Sequence, residues 1–239
     1  SISHATFTRI VWHKNGGAIH LINAGIRCET VQFSECSTST GGGGGIFINN
    51  DADLQIEITL EDVKFSACQA QYGGALYIFS MSDLVPVMIR HTTFSDNSVT
   101  GGPFNGDHFS SGGSAAFIAV KNGIMSDATF SHNRGEGGQL KVCNHFTQRP
   151  NDRKNGRLSV RLDNSFLISD CSFETDEESK SALFFVLGEK GSSVEVRKCT
   201  FSGTLADDSY YIDGQKISEE SPKLFVNSCK FDKTAEKSL

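Results

Sequence analysis

The 239-residue sequence has four prolines and one tryptophan. No stretch approaches the ~20 consecutive apolar residues of a membrane-spanning helix, so no membrane insertion by this segment is expected. The five-glycine run Gly41–Gly45 is followed by no Gly-Lys-Ser/Thr and no helix, which excludes a phosphate loop. Positive charge is also scarce: Lys and Arg number 22 against 28 Asp and Glu, a net charge of −6. A nucleic-acid partner would want a basic stripe, and none is expected. No Asn-x-Ser/Thr sequon occurs, so standard N-glycosylation is not implied. Seven cysteines form no C-x-x-C pair.

What the chain does have is repetition. The stretch Val63–Ser80 holds an alternating apolar segment that ends in Phe65-Ser66, then the pair Gly73-Gly74, then a second apolar run, Ala75–Phe79. Phenylalanine followed by a small or polar residue recurs at Phe7, Phe33, Phe65, Phe94, Phe130, Phe173, Phe201 and Phe231. Glycine pairs recur at Gly16-Gly17, within Gly41–Gly45, and at Gly73-Gly74, Gly112-Gly113 and Gly137-Gly138. A unit returning every few tens of residues is the mark of a repeat architecture. The shortest step, Phe7 to Phe33, is 26 residues and the longest, Phe130 to Phe173, is 43. That spread is too wide for helical repeats, whose helix-pair length sets the period. Segments such as Ile56-Glu57-Ile58 and Val194-Glu195-Val196 alternate with period two, so the elements are strands.

These features predict an all-β chain, a right-handed parallel β-helix (a solenoid) of about seven or eight coils with three short strands each. In the first full step the strands read as Ala18–Ile22, Ile26–Glu29 and Val31–Ser34, separated by Asn23-Ala24-Gly25 and by Thr30. Strands one coil apart stack about 4.8 Å from each other, so equivalent positions form ladders. The phenylalanines make one inward ladder. Two residues earlier a second reads Ala5, Val31, Val63, Thr92, Ala128, Cys171, Cys199 and Cys229. The residue between is polar throughout: Thr6, Gln32, Lys64, Thr93, Thr129, Ser172, Thr200 and Lys230. After the glycine pairs a third inward column reads Ile19, Ile46, Leu76, Ala115, Leu140 and Leu183, and the glycines supply corners with φ > 0. Residues 1–239 form a single segment. The pattern begins almost at Ser1 and runs to Phe231 without a capping helix, so both ends read as cut from a longer solenoid.

Chemistry is sparse along this frame. Cys36 and Cys68 share one column and Cys171, Cys199 and Cys229 another. Parallel Cβ vectors make disulfide torsions awkward, so free thiols used as small core residues are expected. A one-dimensional ladder offers no tetrahedral zinc geometry; no metal, cofactor or catalytic residue is assigned. Trp12-His13 at a corner could stack on a sugar ring or simply pack. Asp176-Glu177-Glu178 reads as a solvated corner. Asp207-Asp208 raises the question of a β-helix glycosidase, since such enzymes use closely placed carboxylates. The polygalacturonase pattern wants a downstream Gly-His-Gly, and no histidine follows His145. Two insertions depart from the minimum step. Val99–Ser111 (99–111) carries Phe104, Asp107, His108 and Phe109; His145–Arg157 (145–157) carries Arg149, Arg153, Lys154 and Arg157. In solenoids insertions map to loops, often on the binding face, so these eight residues are the candidate contact loops.

The two alternating motifs resemble the polymorphic outer membrane protein repeat, known from chlamydial-type autotransporter passengers, with related repeats in protist surface proteins. The family's Gly-Gly-Ala-(Ile/Leu/Val) stands here as Gly16-Gly17-Ala18-Ile19 and Gly73-Gly74-Ala75-Leu76. Its Phe-x-x-Asn stands as Phe94-Ser95-Asp96-Asn97 and Phe130-Ser131-His132-Asn133, while Ile10, Cys36, Cys68, Asp176, Thr204 and Thr234 depart from the Asn column. A stacked Asn column can form an amide ladder. The resemblance covers Thr6 to Gly138 well and the last hundred residues weakly. It implies a secreted, cell-surface or extracellular structural protein, either an outer-membrane passenger or a eukaryotic surface protein. Its expected role is that of a non-enzymatic adhesin or interaction scaffold. Expected partners are a host or neighbouring-cell surface protein or glycan, or other copies or domains of a larger assembly. A polysaccharide-active hydrolase or lyase and an architectural subunit of an extracellular assembly are the alternatives.

Overall fold

The computed structural model describes residues 1–50, 55–80, 86–101, 112–135, 137–143, 165–176, 181–187, 192–205, 210–216 and 223–232. Among them the chain is all-β, with no helix, and every strand pairing is parallel. The strands form sheets of thirteen, seven and four members. The chain visits them in rotation: Ile26–Ser34 lies in the long sheet, Ser37–Thr38 in the four-stranded sheet and Ile46–Asn50 in the seven-stranded sheet, after which Ile58–Ser66 returns to the long one. Each such circuit is called a pass below. A strand's neighbours are its equivalents in adjacent passes, in strict register: Phe7↔Phe33, Phe33↔Phe65, Phe65↔Phe94 and Phe94↔Phe130. Single-residue slips would turn every inward side chain to the other face, so the alternating pattern itself holds this register.

The core follows from that register. Phe33, Phe65, Phe94, Phe130, Phe173 and Phe201 are fully buried, and the stack runs from Phe7 to Phe231. Neighbouring ring centroids lie between 4.7 Å (Phe94–Phe130) and 5.2 Å (Phe173–Phe201), with planes within 11° of parallel. Strand spacing of about 4.8 Å dictates those distances, and burying each ring supplies the largest apolar contribution available to one side chain. Val31, Val63, Thr92, Ala128, Cys171 and Cys199 line the second inward column, while Gln32, Lys64, Thr129 and Thr200 between them are exposed.

Three details differ from the sequence expectation. Ile26–Glu29 and Val31–Ser34 are one strand, Ile26–Ser34, bent at Thr30 with φ 55°. The left-handed residue turns the chain without leaving the sheet, so Cys28 and Val31, three apart, both point inward. His4, Asp62, His91, Asp127, Asp170, Lys198 and Ser228 repeat that conformation three residues before each later or earlier phenylalanine. Second, a short strand follows the phenylalanine: Ser37–Thr38 joins Val11–Trp12, Gln69–Ala70 and Ser98–Val99 in the four-stranded sheet. Third, the column after the glycines contains Ala116 rather than Ala115, because Leu76 pairs with Ala116 and Ala116 with Leu140. The corner glycine explains this shift. Gly16, Gly43, Gly73, Gly113 and Gly137 all have φ between 53° and 77° and stand three residues before the column. The equivalent of Gly73-Gly74 is therefore Gly113-Ser114, not Gly112-Gly113.

Candidate functional site

Of the residues singled out in the sequence, the eight in the contact loops, Phe104 to Phe109 and Arg149 to Arg157, lie outside the described residues, as do Glu177, Glu178, Asp207 and Asp208. Trp12 stands on the outermost strand of the four-stranded sheet, 55% exposed, and His13 contacts Ser39 through Nδ1, 3.5 Å from Oγ. Asp176 pairs with the Arg134 guanidinium at 3.2 Å. Among the described residues no three His, Cys, Asp or Glu side chains converge on a point that could hold a metal ion.

The best-defined polar arrangement is an inner column three residues after each phenylalanine. Asn97 Nδ2 donates to Phe65 O (3.2 Å) and to Asn133 Oδ1 (2.9 Å), and Asn97 Oδ1 accepts from the Cys68 N–H at 2.9 Å. Asn133 repeats the pattern, donating to Phe94 O (3.0 Å) and accepting from the Asn97 N–H (3.0 Å). Its second Nδ2 hydrogen goes to Gln139 Oε1 at 2.8 Å, and Gln139 Nε2 in turn donates to Glu174 O at 2.8 Å. Every amide nitrogen and oxygen in this chain finds a partner, as burial demands.

Cysteine takes the same place in the two preceding passes. The Cys36 thiol lies 3.5 Å from Phe7 O, and the Cys68 thiol 3.8 Å from Phe33 O. The N–H groups of Ile10 and Cys36 face the sulfurs of Cys36 and Cys68. These thiols are therefore a column of donors and acceptors, not only small apolar filler. The neighbouring Cys68 side chain pushes the Cys36 thiol down to about 7, while the same neighbour and burial push Cys68 up. In the second inward column Cys171, Cys199 and Cys229 donate to Met125 O, Ile168 O and Val196 O at 4.0, 3.7 and 3.6 Å. All five of these cysteines directly follow a left-handed residue, and each turns its sulfur toward a carbonyl of the preceding pass. Isolated Cys28 behaves otherwise: burial pushes it up to about 11.

The outer faces differ from sheet to sheet. On the long sheet the left-handed row is polar and exposed. Thr30 Oγ1 donates to Asp62 (3.2 Å), and His91 bridges three passes, with Nδ1 2.7 Å from Glu61 and Nε2 3.8 Å from Asp127. The Glu61 contact, reinforced by the charges of Asp127 and Asp62, holds His91 above its ordinary value. The seven-stranded sheet instead carries aromatics on its outer face. Phe47 stacks on Tyr77 at 4.8 Å and Tyr77 on Phe117 at 5.0 Å. The next pass places Lys141 Nζ 5.6 Å from the Phe117 ring and 5.3 Å from Phe184. Lys141 is only 2% exposed, the setting in which a cation over aromatic faces gains most. This second apolar cluster, joined by Ala119, Cys143 and Val186, escaped the sequence reading. Its signal was present in Ala116–Val120, Ala-Phe-Ile-Ala-Val, a run with no polar alternate of the kind that marks a strand covered on both faces.

No known protein family, no curated protein and no solved structure matches the chain.

Proposed function

We infer that the chain is a right-handed parallel β-helix that serves as a non-enzymatic, surface-displayed adhesin or interaction scaffold. The supporting observation is the unbroken inner stack from Phe7 to Phe231. It spans every pass and leaves the outward positions of the long sheet free to vary. A strand–crossover–parallel strand connection is right-handed in about 98% of cases, which favours the stated hand. On this reading the stack is the rigid support. Partner specificity sits in the insertions 99–111 and 145–157, and the partner is a protein or glycan of another cell's surface.

The test is to immobilise the chain, measure binding to arrayed glycans and to whole cells, and repeat with residues 102–111 or 145–157 deleted. The reading predicts binding that either deletion abolishes while the thermal midpoint stays within a few degrees. Binding left intact by both deletions contradicts it. So does the appearance of new reducing or unsaturated ends on acidic polysaccharides, which would establish the enzymatic alternative.

A further inference from the structure

The strands that carry the phenylalanine stack present hydroxyl groups to solvent. On either side of each inward ring one residue points outward, which gives two rows along the long sheet. Thr93, Thr129, Ser172 and Thr200 follow one another without a break in the first row. Thr8, Ser34, Ser66, Ser95 and Ser131 do so in the second. The rows overlap on adjacent passes as Thr93-Phe94-Ser95 and Thr129-Phe130-Ser131. Neighbours within a row stand one strand spacing apart, about 4.8 Å, and the rows themselves two residues of rise apart, about 6.6 Å. Lys64 and Glu174 bound this net where the rows stop overlapping.

The net is flat, stiff and unpartnered. Successive rings beneath it, from Phe65 to Phe201, lie with their planes only 7° to 9° apart. A sheet with the usual twist of about 20–25° per strand would turn those rings as well. Each outward pair is anchored by the fully buried ring between its two members, and threonine, branched at Cβ, is stiff about χ1. Among the described residues no side-chain partner within the protein engages Ser66, Thr93, Ser95, Thr129, Ser131 or Ser172. Thr129 and Thr200 are exposed and the rest of these hydroxyls half-buried.

We propose that this face binds ordered water and, through it, the surface of ice. A hydroxyl both donates and accepts, as water does. One held in place can therefore stand in for an oxygen of the solid, whereas a mobile side chain would lose rotamer freedom on binding. Oxygens on the prism face of hexagonal ice repeat with spacings close to those of the net in both directions. The threonine methyl groups stand beside the hydroxyls as apolar surface around which first-layer water orders. This activity goes beyond the scaffold reading and uses neither insertion.

The test uses the whole chain. Freezing and melting points of single ice crystals are measured by nanolitre osmometry, and grain growth is followed in frozen sucrose solution. The unaltered chain should open a gap between melting and freezing, facet the crystals, and keep grains smaller than equimolar albumin does. Thr129→Tyr, which puts a bulky ring in the middle of the net, should abolish the gap. Thr59→Tyr, outward on the same sheet but off the net, should keep it, as should deletion of residues 145–157. A melt of each variant confirms the fold. The proposal is overturned if the unaltered chain opens no gap and its grains match those in albumin. It is equally overturned if Thr129→Tyr leaves the gap unchanged, or if Thr59→Tyr loses it to the same extent.

Discussion

At the scale of single residues, the inner column shows why asparagine and cysteine alternate at one position. Each must donate to the carbonyl of the phenylalanine one pass earlier and accept from the N–H beside it. Asn97 does this fully buried, so Asn97→Ala orphans the Cys68 N–H and removes the side-chain donor from the Phe65 carbonyl. At about 1–3 kcal/mol for an unsatisfied buried group, the variant should lose at least about 1 kcal/mol in urea denaturation. Cys68→Ser, which keeps a donor and an acceptor, should lose clearly less; equal losses would contradict the shared role. The Asn97 and Asn133 ladder was legible from Phe-x-x-Asn spacing. The thiols' part in it was not, because nothing in the sequence tells a hydrogen-bonded cysteine from an apolar one until the carbonyl opposite is known.

His91 carries a pH dependence at the same scale. Its folded-state value is raised above the ordinary ~6.5 by Glu61. The resulting stabilisation is therefore fully present below about pH 6.5 and is lost as pH rises through the higher folded value. The melting difference between the native chain and His91→Gln should be largest in mildly acidic buffer and close at alkaline pH. In proton NMR the His91 C2 resonance should titrate above 6.5 and fall back after Glu61→Gln. A midpoint indifferent to Glu61 would refute the contact.

Among the elements, corners decide where strands start. At Gly73 a Cβ would sit 2.4 Å from Leu76 O, with φ at 53°, so Gly73→Ala should destabilise by more than about 1 kcal/mol. The opposite sign is expected at Ala67, an exposed alanine held at φ 52°. Left-handed backbone costs a residue with a Cβ about 1–2 kcal/mol, part of which Ala67→Gly recovers, so its thermal midpoint should rise. A fall would mean that the bend is not strained. The row of left-handed residues was not legible in advance. His, Thr, Asp, Lys and Ser occupy it, and only the aspartates and histidines hint at that conformation. The one-residue misplacement at Ala115 has the same origin. Gly112-Gly113 looks like the other pairs, but only the register shows that the turning glycine is the second.

For the molecule as a whole, the alternation of apolar and polar columns was enough to anticipate an all-β chain with parallel, in-register strands. Like residues at like positions have no other way to share one dry interior. The outer aromatic cluster around Tyr77 and Lys141 was missed because period-two reasoning assigns one face to water, whereas these strands bury both. The contact loops remain a proposal, because sequence marks them by insertion length and composition alone.

The central claim is that each pass lies directly on the one before it, one strand spacing away. Nitroxides attached through non-cysteine linkages at Gln32 and, in turn, at Ser172, Thr200 and Lys230 test it by double electron–electron resonance. These positions share one outward column. The three distances should rise in equal steps of about 4.8 Å. Distances that fail to rise from Ser172 to Thr200 to Lys230, or that rise by unequal steps of ten ångströms or more, would contradict the stacked arrangement.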